Sequence, residues 1–127
     1  MCGGYKKRGA VFRRGYLAEY ELMKMLRSKG FYVVRIPVSG QRVPCDLLCS
    51  KRGVGKFAIE VKVTKGLVVY INKDRVRSLI EFANAFDLTP IVAIKWKKRF
   101  PNTWSFYEIK SENDNRFNIN DQGIKIM

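Results

Sequence analysis

Glu60 and Lys62 stand two residues apart in the apolar run KFAIEVKV, and Asp46 opens the apolar run before it. Two carboxylates offer hard oxygen ligands to Mg²⁺, with Mn²⁺ a plausible substitute, and the intervening Val61 adds a backbone carbonyl that can share the coordination shell. Residues two apart on a strand share a face. The Lys62 ammonium would therefore sit beside the ion, where it can orient a water or offset charge developing on a phosphate. Metal-assisted cleavage of a phosphodiester is the chemistry such a set can do. An acid-X-Lys strand is more often a pair of surface charges. Here Glu60 lies in a strongly apolar strand and acids are scarce, so a half-buried carboxylate with a metal or cationic partner is the expectation.

The rest of the chain favours a polyanionic partner. Twenty-five Lys and Arg against 11 Asp and Glu give a formal net charge of +14 over 127 residues. Such a field attracts nucleic acid or an anionic membrane, and binding to nucleic acid through it weakens as salt rises. No apolar stretch approaches the roughly 20 residues needed to span a bilayer, and residues 1–14 lack the apolar core of a secretory signal. A soluble intracellular protein is expected, with no membrane partner. Three cysteines, Cys2, Cys45 and Cys49, have no metal-site spacing and no His to complete a zinc site, so they read as reduced and structural.

The elements that must position these groups follow from periodicity. Residues 1–14 hold five basic side chains, three glycines and no acid, and read as a flexible basic arm. Leu17, Ala18, Leu22, Met25 and Leu26 recur at helical spacing and predict a helix from about Gly15 to Lys29, stopped by Gly30. Glu19, with Leu22 and Leu26 at i+3 and i+7, lies beside the apolar face and is a third acid for the site, ahead of Glu21.

Strands are predicted over Phe31–Ile36, Asp46–Ser50 and Lys56–Val63, with a turn-rich loop before Asp46 and a Gly53–Gly55 reversal. LVVYI extends the sheet or covers an interface. Asn72 caps a helix through about Phe86, whose buried stripe is Val76, Leu79, Ile80 and Ala83. PIVAIKW and SFYEI supply two further strands. The fold class is α/β, a mixed central sheet flanked by helices. A single domain over 15–110 is followed by a polar extension over 111–127, a frayed end or small hairpin. Phe82 leaves the stripe of its helix and is a candidate, with Trp96, Phe100, Trp104 or Phe106, for a dimer contact.

Pro44-Cys45-Asp46 followed by Glu60-Val61-Lys62 resembles the split acidic motif of the restriction-endonuclease-like nucleases. Together with GYLAEYELMKMLRSKGFYVVR, IEVKVTK, YINKDRVRSLIEFANAF and PIVAIKW, over about residues 9–110, the chain is similar to the archaeal Holliday junction resolvases; the tail after Ile109 matches weakly. The resemblance implies an active site of Glu19, Asp46, Glu60 and Lys62, a basic residue for cleavage at Arg35 and a loop serine at Ser39. It also implies a homodimer making paired Mg²⁺-dependent nicks in opposing strands of a four-way DNA junction, with recombination or replication proteins as possible further partners. Its place would be the cytoplasm at the nucleoid, or the host cytoplasm if viral.

Lys6, Lys7, Arg8, Arg13 and Arg14 of the arm would contact phosphates, and Arg35, Arg42, Lys51, Arg52 and Lys56 would widen that surface beside the metal site. Lys95, Lys97, Lys98 and Arg99 form a second basic patch. This chain departs from compact members in its Cys45, its long 35–46 loop and its longer basic arm. A related flap, fork or duplex DNA nuclease, or a noncatalytic junction-binding architectural protein, would share much of this pattern.

Overall fold

Alternating apolar residues along the central strands are buried on both sides, because a helix covers each face of one mixed sheet. The structure, a computed structural model, describes residues 16–37, 43–101 and 103–127. Helix α1 (16–28) leads into β1 (Tyr32–Arg35), β2 (Leu47–Lys51) and β3 (Gly55–Thr64). Strand β4 (Val68–Tyr70) and helix α2 (Lys73–Ala85) follow, then β5 (Thr89–Trp96), β6 (Trp104–Glu108) and β7 (Arg116–Asn118).

The main sheet runs β1-β2-β3-β5-β6. Its β3–β5 pair is parallel and its other pairs are antiparallel. A parallel pair needs a crossover, and α2 supplies it. Strand β5 sits between two neighbours beneath two covered faces, which is why it reads as a continuous apolar run.

On one face Leu22, Met23 and Leu26 of α1 pack on Val33, Leu47, Phe57, Ile59 and Ile91. On the other, Val76, Leu79 and Ala83 of α2 pack on Ala58, Val92, Ile94 and Trp96. The β3 alternation thus sends Phe57 and Ile59 toward α1, and Ala58 and Glu60 toward α2.

Local chemistry sets the element ends. Gly30, at φ 92°, closes α1: its N–H donates to the Arg27 carbonyl and the Phe31 N–H to that of Leu26. This paired closure needs a left-handed residue that glycine adopts without strain. Asn72 caps α2 by accepting from the Asp74 N–H at 2.7 Å.

Several expectations change. Leu17 is exposed and Met23 takes its place in the core, because Leu17 lies about 140° around the helix from Leu22. LVVYI does not join the main sheet; β4 pairs with β7. The tail is neither frayed nor a hairpin of its own: Phe117 and Ile119 join the α2-side core, Ile126 joins the α1-side core and Ile124 bridges to Phe106. Trp96 is fully buried and Phe106 lies in the core beside Trp104, so these rings do not gather with Phe82 on one surface. Among the described residues no helix is long and apolar enough to cross a membrane.

Candidate active site

Strands β2 and β3 part company at Asp46. The Asp46 N–H still donates to the Ile59 carbonyl at 2.8 Å, but the next bond in line is made by a side chain, the Val61 N–H donating to Asp46 Oδ2 at 2.7 Å. This bond fixes one carboxylate against the strand that carries Glu60 and Lys62. The N–H and C=O of a strand residue point to the same edge, so the Val61 carbonyl also faces the Asp46 side.

Glu60 is almost wholly enclosed, at 3% exposure, and Asp46 is nearly so at 8%. Arg75 of α2 reaches across to Glu60, its Nη2 donating to Oε1 at 3.0 Å and its Nε to Oε2 at 3.3 Å. Lys62 Nζ lies 3.4 Å from Oε2, with its side chain 40% exposed. Burial, and next the Asp46 charge, push the Glu60 carboxyl above the ordinary carboxylate range, while Arg75 and Lys62 pull the other way.

Glu19 approaches from the α1 side. Arg35 Nε donates to its Oε1 at 2.8 Å, and the Arg35 guanidinium lies 4.6 Å from the centre of the Tyr16 ring. Burial raises the Glu19 pKa, with Asp46 and, more weakly, Glu60 adding to the rise against Arg35, so the three carboxylates share one electrostatic field. They do not form a closed cage: among the described residues no three His, Cys, Asp or Glu converge closely enough to hold a metal ion. Glu19 is drawn to Arg35 and Glu60 to Arg75. Chemically the donor set still suits a hard divalent cation, since two buried carboxylates side by side lack water to solvate their charge.

Glu21 is turned elsewhere, accepting from Lys95 Nζ and from Trp104 Nε1, both at 2.8 Å, and so pins α1 to β5 and β6. Burial pushes both the Cys45 and Cys49 thiols up to about 12, which keeps them protonated and unfit as nucleophiles.

Lys51 and Arg52 do not flank the acids. They sit at the opposite end of the β2–β3 hairpin, since Lys51 pairs with Gly55, about 17 Å along the strand from Glu60. Lys51 Nζ donates to the Lys29 carbonyl at the end of α1. Lys56, near that same end, is likewise remote. In the second patch Lys97 and Lys98 are exposed, whereas Lys95 is held by Glu21 and Arg99 donates to the Ile119 carbonyl. Lys6, Lys7, Arg8, Arg13, Arg14, Ser39 and Arg42 lie outside the described residues.

Arg75 is the site residue that the sequence reading passes over. Its signal is faint but real: it stands four residues before Leu79, on the helix side that turns toward the sheet.

A mixed sheet between two helices, with acids where two central strands diverge and a lysine beside them, defines the restriction-endonuclease-like class of nucleases. A solved structure of the Archaeoglobus fulgidus Hjc, titled a Holliday junction resolvase from an archaeal hyperthermophile, superposes with a TM-score of 0.69 at 29% identity, covering 82% of this chain and 88% of that one. The family model for the archaeal Holliday junction resolvase (hjc) matches residues 10–127, and the chain belongs to that family. The match carries through the tail that motif similarity alone leaves weak. Among relatives, the crossover junction endodeoxyribonuclease Hjc of A. fulgidus is 32% identical over 106 residues, 83% of this chain and 71% of that protein. The crossover junction endodeoxyribonuclease Hje of Saccharolobus solfataricus is 36% identical over 87 residues, 66% of this chain and 64% of that protein.

Proposed function

We propose that this chain resolves four-way DNA junctions as a homodimer, making paired Mg²⁺-dependent nicks in opposing strands. The observation that carries the chemistry is the Val61 N–H to Asp46 bond, which seats one buried carboxylate beside a second, Glu60, with the Lys62 ammonium on the same strand. Asp46, Glu60 and the Val61 carbonyl would hold the ion, with Glu19 adding negative charge from the α1 side. Mg²⁺ there, or Mn²⁺ in its place, would supply Lewis-acid stabilisation of charge on the phosphate and a water of lowered pKa.

Lys62 orients the attacking water and balances charge on the phosphate oxygens, its partly exposed side chain giving it access to DNA. Arg35, held between Glu19 and the Tyr16 ring on the edge strand, meets a neighbouring phosphate, with Ser39 and Arg42 as further contacts. The basic arm, Lys6, Lys7, Arg8, Arg13 and Arg14, binds backbone along a junction arm, and Lys51 and Arg52 serve DNA remote from the scissile bond.

Support for a dimer comes from apolar surface that the chain leaves uncovered on the α2 side. Tyr32 and Val34 of β1 are 87% and 59% exposed and Phe86 is 63% exposed; with Leu48, Phe82 and Leu88 they line one open groove. A patch of this kind marks an interface, and two sites related by a two-fold axis suit a substrate with matching symmetry.

The test is cleavage of an end-labelled fixed-sequence junction, alongside a flap, a fork and plain duplex. Asp46→Asn and Glu60→Gln should lose symmetric nicking by at least about a hundredfold while still binding the junction. Unchanged nicking would reject these ligands. Preferred cutting of flap, fork or duplex would move the substrate assignment, and binding without Mg²⁺-dependent scission would leave an architectural protein.

A further inference from the structure

Both oxygens of Glu60 are already engaged by cationic groups: Oε1 by Arg75 Nη2, and Oε2 by Arg75 Nε and Lys62 Nζ. Arg75 is not a surface side chain that happens to lie nearby. It stands in the first turn of α2, between the Asn72 cap and the buried residues Val76 and Leu79, and its side chain is only a quarter exposed. The guanidinium keeps its charge at any working pH and grips a carboxylate at two points with a planar fork.

A divalent ion that takes Glu60 must therefore displace Arg75 from at least one oxygen, or settle against a fixed positive charge. We infer that Arg75 is an internal competitor for the metal at Glu60, which sets the divalent-cation concentration at which the site loads; this rests on Asp46 and Glu60 being the metal ligands. Two effects of the arginine oppose one another. It keeps Glu60 ionised and in place, which favours the ion, and it blocks the oxygens that the ion needs. Blocking prevails, because Lys62 also favours ionised Glu60, and a glutamine at 75 could still donate one hydrogen bond to orient it. The charge-assisted pair is then lost on loading with nothing gained from it.

Mn²⁺ binding to the full chain without DNA, followed by the loss of the free-ion electron paramagnetic resonance signal, tests this. Arg75→Gln should bind Mn²⁺ on the order of tenfold more tightly than the parent, the equivalent of one charge-assisted hydrogen bond. Arg77→Gln, also on α2, removes exposed pairings with Asp74 of that helix and Glu112 of the segment after β6, and should leave the affinity unchanged. The melting temperature should fall in metal-free Arg75→Gln and rise more on adding Mn²⁺ than in the parent.

Equal or weaker binding by Arg75→Gln overturns the inference, as does a failure of both proteins to bind Mn²⁺. If Asp46→Asn still abolishes binding to the parent in the first case, the ligand assignment survives that failure. Binding that ignores Asp46→Asn defeats both.

Discussion

Glu60 carries a charge into a place that water barely reaches, and its protonation is tied to folding. Burial is the largest cause of its raised pKa. A folded-state pKa above the unfolded one means that the native protein holds the proton more tightly. The contribution to stability is then complete below the unfolded carboxylate range and disappears as pH rises through the raised value. With EDTA present, the parent should lose stability relative to Glu60→Gln as pH rises out of the ordinary carboxylate range. Urea denaturation of both proteins at several pH values measures this, and parallel curves would contradict it. Glu60, Lys62 and Asp46 are legible in the sequence because strand period and hairpin proximity are local properties. Arg75 is hardly legible, since its pairing with Glu60 joins a helix to a strand, and the helix pattern shows only that it shares a side with Leu79. Nor does spacing reveal that Glu19 answers to Arg35, which comes from a different element.

At the scale of elements, β7 decides how much of the chain is needed to fold. Phe117 is buried, packs against Tyr107 at 5.0 Å between ring centres and sits in the register that joins β7 to β4. Phe117→Ala should cost about 3 kcal/mol or more in urea denaturation, as for other large aromatic truncations in a core. A loss below about 0.5 kcal/mol, the usual ceiling for surface changes, would show the tail to be an appendage. Both helices and the five strands of the main sheet follow from apolar period, Gly30 and Asn72. The β4–β7 pair does not, because Phe117 and Ile119 are isolated among polar residues and their strand partners, Val69 and Leu67, lie more than forty residues earlier. The alternation in β3 likewise hides that the Ala58–Glu60 face is also covered, since the cover comes from α2.

For the whole molecule, the groove between β1 and α2 makes a prediction about assembly. Phe86 is largely exposed in the single chain, so Phe86→Glu should leave the fold intact and shift the protein from dimer to monomer in sedimentation. On a junction, the variant should nick strands singly instead of in pairs; an unchanged sedimentation coefficient would place the interface elsewhere. One further consequence lies in how Asp46 is held. The Ile36 N–H donates to the Asp46 carbonyl at 2.9 Å, while Asp46 itself is clasped by Ile59 and Val61. The stretch between Ile36 and Asp46 is thus buttoned at its base by main-chain bonds, with Cys45 buried in the core beside them. A change in the number of residues between Val38 and Arg42 should therefore leave the Asp46 carboxylate where the strands hold it.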